Sequence, residues 1–158
     1  MTENEQPRGE SVRVDSAAEL LEHTELAEIR TYALSAERHD SQETEQANIA
    51  VSVRTEPAWL ETRCRLTLAT DDATLVVDRS AIFTHRAPIE ASDTAIREFV
   101  ERVGVMSVYP YLREGVFTLA GNLGVSAPVM ALIRAGQVRL DLTRNDPTQP
   151  AEQQTPAE

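Results

Sequence analysis

Residues 59–83 read WLETRCRLTLATDDATLVVDRSAIF. Leu60, Thr62, Cys64, Leu66 and Leu68 alternate with Glu61, Arg63, Arg65 and Thr67, the period-2 pattern of a strand with one buried face. Asp71-Asp72 then marks a tight turn, after which Leu75, Val77, Ala81 and Phe83 continue the alternation as a further strand. So short a connection implies an antiparallel hairpin, because a parallel pair needs a long crossover. Upstream, Ile49, Val51 and Val53 alternate with Ala50, Ser52 and Arg54. A sheet of such strands buries one side and leaves the other to water or to a partner.

Downstream of Pro88 the period lengthens. Ile96, Phe99, Val100 and Val103 recur at helical spacing, with Ser92 or Asp93 placed to cap the start and Gly104 to end it. A second helix is expected to open at Ser107 and Pro110, where proline is tolerated in a first turn. Its stripe is Val108, Leu112, Val116, Leu119 and Leu123, ending at Asn122–Gly124, and Tyr109, Tyr111, Phe117 and Ala120 widen it. Apolar surface on more than one side suggests packing against the sheet on one flank and another subunit on the other.

Residues 16–38 are rich in Ala, Leu and Glu, which favours helix, yet Arg30, Tyr32, Leu34 and Ala36 also fit one face of a strand. In residues 127–142, Pro128 and Gly136 interrupt helix. That segment reads as extended, with a short helical turn at Val129–Ile133. Residues 1–15 and 143–158 are polar, and rich in Glu, Gln, Pro and Thr, the composition of disordered tails. One ordered domain, residues 16–142, is expected between them.

The chain of 158 residues holds 26 acidic residues against 15 basic ones, a net charge of −11, and every basic residue is arginine. Without lysine there is no Schiff base and no phosphate-loop lysine. The acidity speaks against nucleic acid and against anionic lipid. A single cysteine forms no internal disulfide, no secretory leader is evident, and no apolar run approaches a membrane span. A cytoplasmic protein is expected.

Little in the sequence points to catalysis. His23, His39, His85 and Cys64 are scattered with no metal-ligand spacing, so no metal and no cofactor is expected. Cys64 lies on an apolar strand face and reads as a small buried hydrophobe. His85, at a strand end, reads as solvated. Arg113 and Glu114 interrupt an apolar helix, and read as an ion pair or a cap at a helix–helix contact. The glycines form no phosphate loop. What is left is a binder of other polypeptides, or an ordinary oligomer interface.

The stretch Val108-Tyr109-Pro110-Tyr111-Leu112-Arg113-Glu114, followed by Leu123-Gly124-Val125-Ser126-Ala127-Pro128-Val129, resembles the SecB family of export chaperones. In that family an aromatic-Pro-Tyr-x-Arg-Glu segment opens the long helix and a Leu-Ala-Pro-Val-like segment follows. Glu61–Leu68 and Ala81–Phe83 also look like family strands, so the resemblance covers roughly residues 26–140. It implies an α+β fold, a four-stranded antiparallel sheet followed by helices, assembled as a dimer of dimers. Leu26–Arg38 would be the first strand and Ala47–Thr55 the second.

By the same resemblance the protein would be an ATP-independent holdase and no enzyme. Such a homotetramer keeps unfolded precursor proteins competent for the Sec pathway and passes them to SecA. The client groove would include Val51, Val53, Trp59, Tyr109, Tyr111 and Met130. Glu37 matches one acidic SecA-docking position, while Ala33 and Val76 stand at neighbouring ones. Residues 129–142 replace the family's C-terminal helix, and the tail lacks a clear signature for SecA's zinc domain. Another client, such as an aggregation-prone antitoxin, is the alternative within the class. Outside it stand a plain structural oligomer and a small-molecule enzyme of the hot-dog type, which sets its long helix before most strands rather than after them.

Overall fold

Alternation along a strand decides which side of it meets the core, and the long hairpin obeys that rule closely. The computed structural model describes residues 11–40, 46–135 and 137. In chain order these form β1 (Val12–Val14), α1 (Ala17–Glu22), β2 (Thr24–Arg38), β3 (Gln46–Glu56), β4 (Trp59–Ala69), β5 (Ala73–His85), β6 (Ile89–Ala91), α2 (Asp93–Phe99), a π-helical turn (Val100–Gly104) and α3 (Val105–Leu123). The four long strands make an antiparallel sheet in the order β2-β5-β4-β3, and β1 runs parallel to β6 as a separate pair. The expected α+β sheet-then-helix order is present, with a tight turn at Asp71-Asp72 closing β4 onto β5.

The inner face of the sheet carries Leu60, Thr62, Cys64, Leu66 and Leu68 from β4, with Leu75, Val77, Ala81 and Phe83 from β5, all buried. Each large aliphatic chain so buried contributes roughly 1.5–3 kcal/mol. Val108, Leu112, Val116 and Leu119 of α3 close over them. Gly115 permits this contact, because a Cβ there would lie 2.8 Å from Val77 Cγ1. At one end Phe99 meets Phe83 edge to face, 5.1 Å between centroids, and Leu20 of α1 is fully buried.

Several expectations require correction. Residues 16–38 are neither all helix nor all strand. Ser16 caps a short α1 through its hydroxyl, and β2 begins at Thr24, two residues before the expected start. Val12–Val14, assigned by composition to the N-terminal tail, pair with Ile89–Ala91 instead. Gly104 does not stop a helix: it is helical itself (φ −58°, ψ −56°), and α2 runs through the π turn into α3 without a break. Glycine is needed there because β4 comes so near that a Cβ would sit 2.3 Å from Thr62 Oγ1. Pro110 therefore lies inside α3 rather than opening it. The stop at Gly124 holds, in the left-handed conformation at φ 66°. Its N–H donates to the Gly121 carbonyl and the Val125 N–H to that of Ala120, which closes a Schellman cap. No helical turn forms at Val129–Ile133. Residues 1–10 and 138–158, which include the expected C-terminal tail and the end of the 127–142 segment, lie outside the described residues.

Candidate functional site

Four strands at about 4.8 Å spacing make a surface about 19 Å wide, whereas one helix covers about 10 Å. α3 lies over β5, β4 and β2, and the margins of the inner face stay open. Along β3, Ile49, Val51 and Val53 point to the inner side, opposite Leu66, Cys64 and Thr62, and are only half-buried. Along β2, Leu26 and Leu34 stand on the same side at 49% and 41% exposure. On α3 itself, Tyr111 and Phe117 are 42% and 56% exposed.

The two sheet edges also differ. β3 pairs with β4 in unbroken register from Gln46↔Ala69 to Glu56↔Trp59, and among the described residues nothing pairs with its other side. It contains no proline. β2 is irregular, with register shifts at Leu26/Glu28 and Thr31/Ala33, and it carries Glu25, Glu28, Arg30, Glu37 and Arg38. Bulges and charges blunt an edge; β3 has no bulge and bears charge only at Arg54 and Glu56 near one end, so its straight part from Gln46 to Val53 is a template for another extended chain.

The outer face is polar and tightly bonded although no helix among the described residues covers it. Arg63 donates through Nε and Nη2 to both oxygens of Asp78 at 2.8 Å, and Arg65 Nη1 adds a third bond at 3.0 Å. The Asp78 side chain is 1% exposed. Arg63 above all, with Arg65, holds its carboxyl below the usual range. Beside it, Tyr32 and Ser80 donate to Glu61 Oε1 at 2.5 and 2.7 Å, and the Arg63 guanidinium lies 3.9 Å from the Tyr32 ring centroid.

The structure does not gather the six expected groove residues on one surface. Val51 and Val53 lie on the open inner margin. Trp59 is on the opposite, outer face, beneath the Arg54 guanidinium. Tyr109 is 6% exposed and donates through its hydroxyl to the Ala131 carbonyl, and Met130 packs against the core from the same segment. Tyr111 faces solvent. Glu37 is exposed on the outer side of β2, the side that Val76 shares. His85, expected to be solvated, is half-buried with an Nδ1 that has no partner, and burial lowers its pKa. Glu114 does form an ion pair, one of its two expected readings, but with the sheet and not with Arg113. It accepts at 2.7 Å from Arg79 of β5, whose Nη1 also reaches the Tyr111 carbonyl. Cys64 is buried as expected, and desolvation pushes its thiol up to about 12, so it stays protonated.

The network of Tyr32, Glu61, Asp78 and Ser80 was missed because its parity marks the outer face and says nothing of burial. Leu26 and Leu34 were missed because residues 16–38 read ambiguously. Among the described residues no three His, Cys, Asp or Glu side chains gather to hold a metal, and no helix is long and apolar enough to cross a membrane.

Among the described residues, an antiparallel sheet broader than the helix that backs it leaves apolar margins and one straight edge without a partner. The chain is 35% identical over 126 residues to the SecB-like chaperone SmegB of Mycolicibacterium smegmatis, covering 80% of this chain and 86% of that protein. It belongs to the SecB-like chaperone family, whose members are chaperones and not enzymes. No family model matches it. Its fold is similar to that of the Mycobacterium tuberculosis Rv1957 SecB-like chaperone, solved in complex with a ChAD peptide from the Rv1956 HigA1 antitoxin. The TM-score is 0.64 at 21% identity, over 74% of this chain and 92% of that one.

Proposed function

We propose that the protein is an ATP-independent holdase that keeps an apolar, extended polypeptide from aggregating, bound along the open inner margin at β3. The observation that carries this reading is the combination of half-buried Ile49, Val51 and Val53 with an unpaired, bulge-free edge. Main-chain bonds to the edge bind any sequence, and alternate side chains settle on the apolar shelf. The net charge of −11 favours clients with basic segments and speeds their capture at low salt.

A dedicated client of the antitoxin kind is the reading we favour, since a structural relative was solved with a peptide from an antitoxin. Delivery of precursors to SecA through Glu37 is the second reading; exposure of Glu37 on the outer face leaves it available. A tetramer, a dimer of dimers, would cover Leu26, Leu34, Tyr111 and Phe117. The test is fluorescence anisotropy with a labelled, unfolded apolar peptide. The double variant Val51→Ser/Val53→Ser is expected to bind about tenfold more weakly, the loss of roughly 1.4 kcal/mol of apolar contact. A wild-type chain that neither binds the peptide nor slows aggregation of a denatured protein overturns the reading. Retained affinity in the double variant moves the site elsewhere.

A further inference from the structure

After the cap at Gly124 the chain has no regular structure from Val125 to Arg134, yet Val125, Ala127, Met130 and Ile133 pack against the core. Tyr109 donates to the carbonyl of Ala131. Tyr109 and Leu123 are fourteen residues apart on α3, which at 1.5 Å per residue is about 21 Å. Eight residues, 124 to 131, cover that distance on the return at about 2.6 Å each, so they are drawn out well beyond the 1.5 Å rise of a helix. Val129 and Leu132 meanwhile point out, at 82% and 79% exposure.

An extended, apolar segment thus lies along the long helix, held by a main-chain carbonyl and by a few aliphatic side chains. Neither kind of anchor reads a particular sequence, since a tyrosine hydroxyl donates to any peptide carbonyl and apolar packing accepts other side chains of similar size. We infer that residues 125–133 are a built-in stand-in for client, a strap that covers the flank of α3 at Tyr109 and gives way when an extended apolar peptide takes its place. The identity of the displacing chain rests on the holdase reading above; the strap itself does not. Its low cost of release follows from the structure, because Val129, Ala131 and Leu132 face water already and no helix or strand has to melt.

The experiment uses the full chain and two loosened variants, Tyr109→Phe and Met130→Ser/Ile133→Ser. Amide hydrogen exchange of residues 126–134 is followed with and without an excess of unfolded apolar peptide, and binding of an apolar fluorescent dye is followed without peptide. Peptide is expected to speed exchange in 126–134 several-fold. The loosened variants are expected to bind peptide about three- to tenfold more tightly and at least to double dye binding. Slower exchange in 126–134 on loading overturns the inference, because the segment is then a wall of the groove. Unchanged dye binding in both variants overturns it too. Should no peptide bind any form, the holdase reading fails, and the dye measurement alone decides whether a strap exists.

Discussion

Asp78 is a carboxylate shut away on a face that no helix among the described residues covers, and what shuts it away is its own pair of arginines. Breaking this arrangement leaves two guanidinium groups short of a partner, but both are at least 40% exposed, so solvent recovers part of the loss. Asp78→Asn is expected to cost about 1–3 kcal/mol by chemical denaturation. The folded pKa is depressed, so the contribution is complete above the unfolded-state value and fades as pH falls through the lower, folded one. Wild-type stability should therefore drop through the acid range more steeply than that of Asp78→Asn; parallel curves would mean the bonds carry no net stability. Parity along 59–83 sets Glu61 apart from the buried face, and the register puts Asp78 on the same outer side, opposite Arg65. Parity could not reveal the burial of Asp78 and Glu61, which comes from Arg63 and Arg65 closing over the first and from Ser80 and Tyr32, the latter a bulge residue on a strand distant in sequence, bonding to the second.

Among the elements, the helical run from Asp93 to Leu123 departs most from its sequence pattern. Glycine is a poor helix former and a common terminator, so Gly104 read as a stop, whereas its role depends on a Thr62 methyl and hydroxyl that no local pattern encodes. Gly104→Ala is expected to destabilise by roughly 1–3 kcal/mol through overpacking. Gly121→Ala, with nothing within 4 Å of its added methyl, should instead stabilise by about 0.5–1 kcal/mol. Thermal or denaturant melts of the two variants should move in opposite directions, and a shared sign would refute the close approach. The strands were legible because alternation is both local and tied to burial. The division of residues 16–38 into helix and strand was not, since composition alone supported either and the cap at Ser16 is a single hydroxyl.

The whole molecule is a sheet wider than its backing, in a chain whose surplus acid charge keeps copies apart unless apolar surface draws them together. If four copies pool their helices, the native mass should be about four times the 17.5 kDa chain, and Phe117→Glu with Leu34→Glu should lower it. Sedimentation at several concentrations checks this, and a wild-type monomer would remove the assembly from the account. The inequality of the two rims has one further result. A molecule able to accept a strand on both rims would have a valency of two and could propagate into filaments without end. Here the register shifts along the crooked rim break the regular ladder that an added strand would need, so recruitment through the straight one would terminate after a single addition. A holdase of the kind proposed above would thereby embrace one sticky, half-made chain without seeding a fibre of its own.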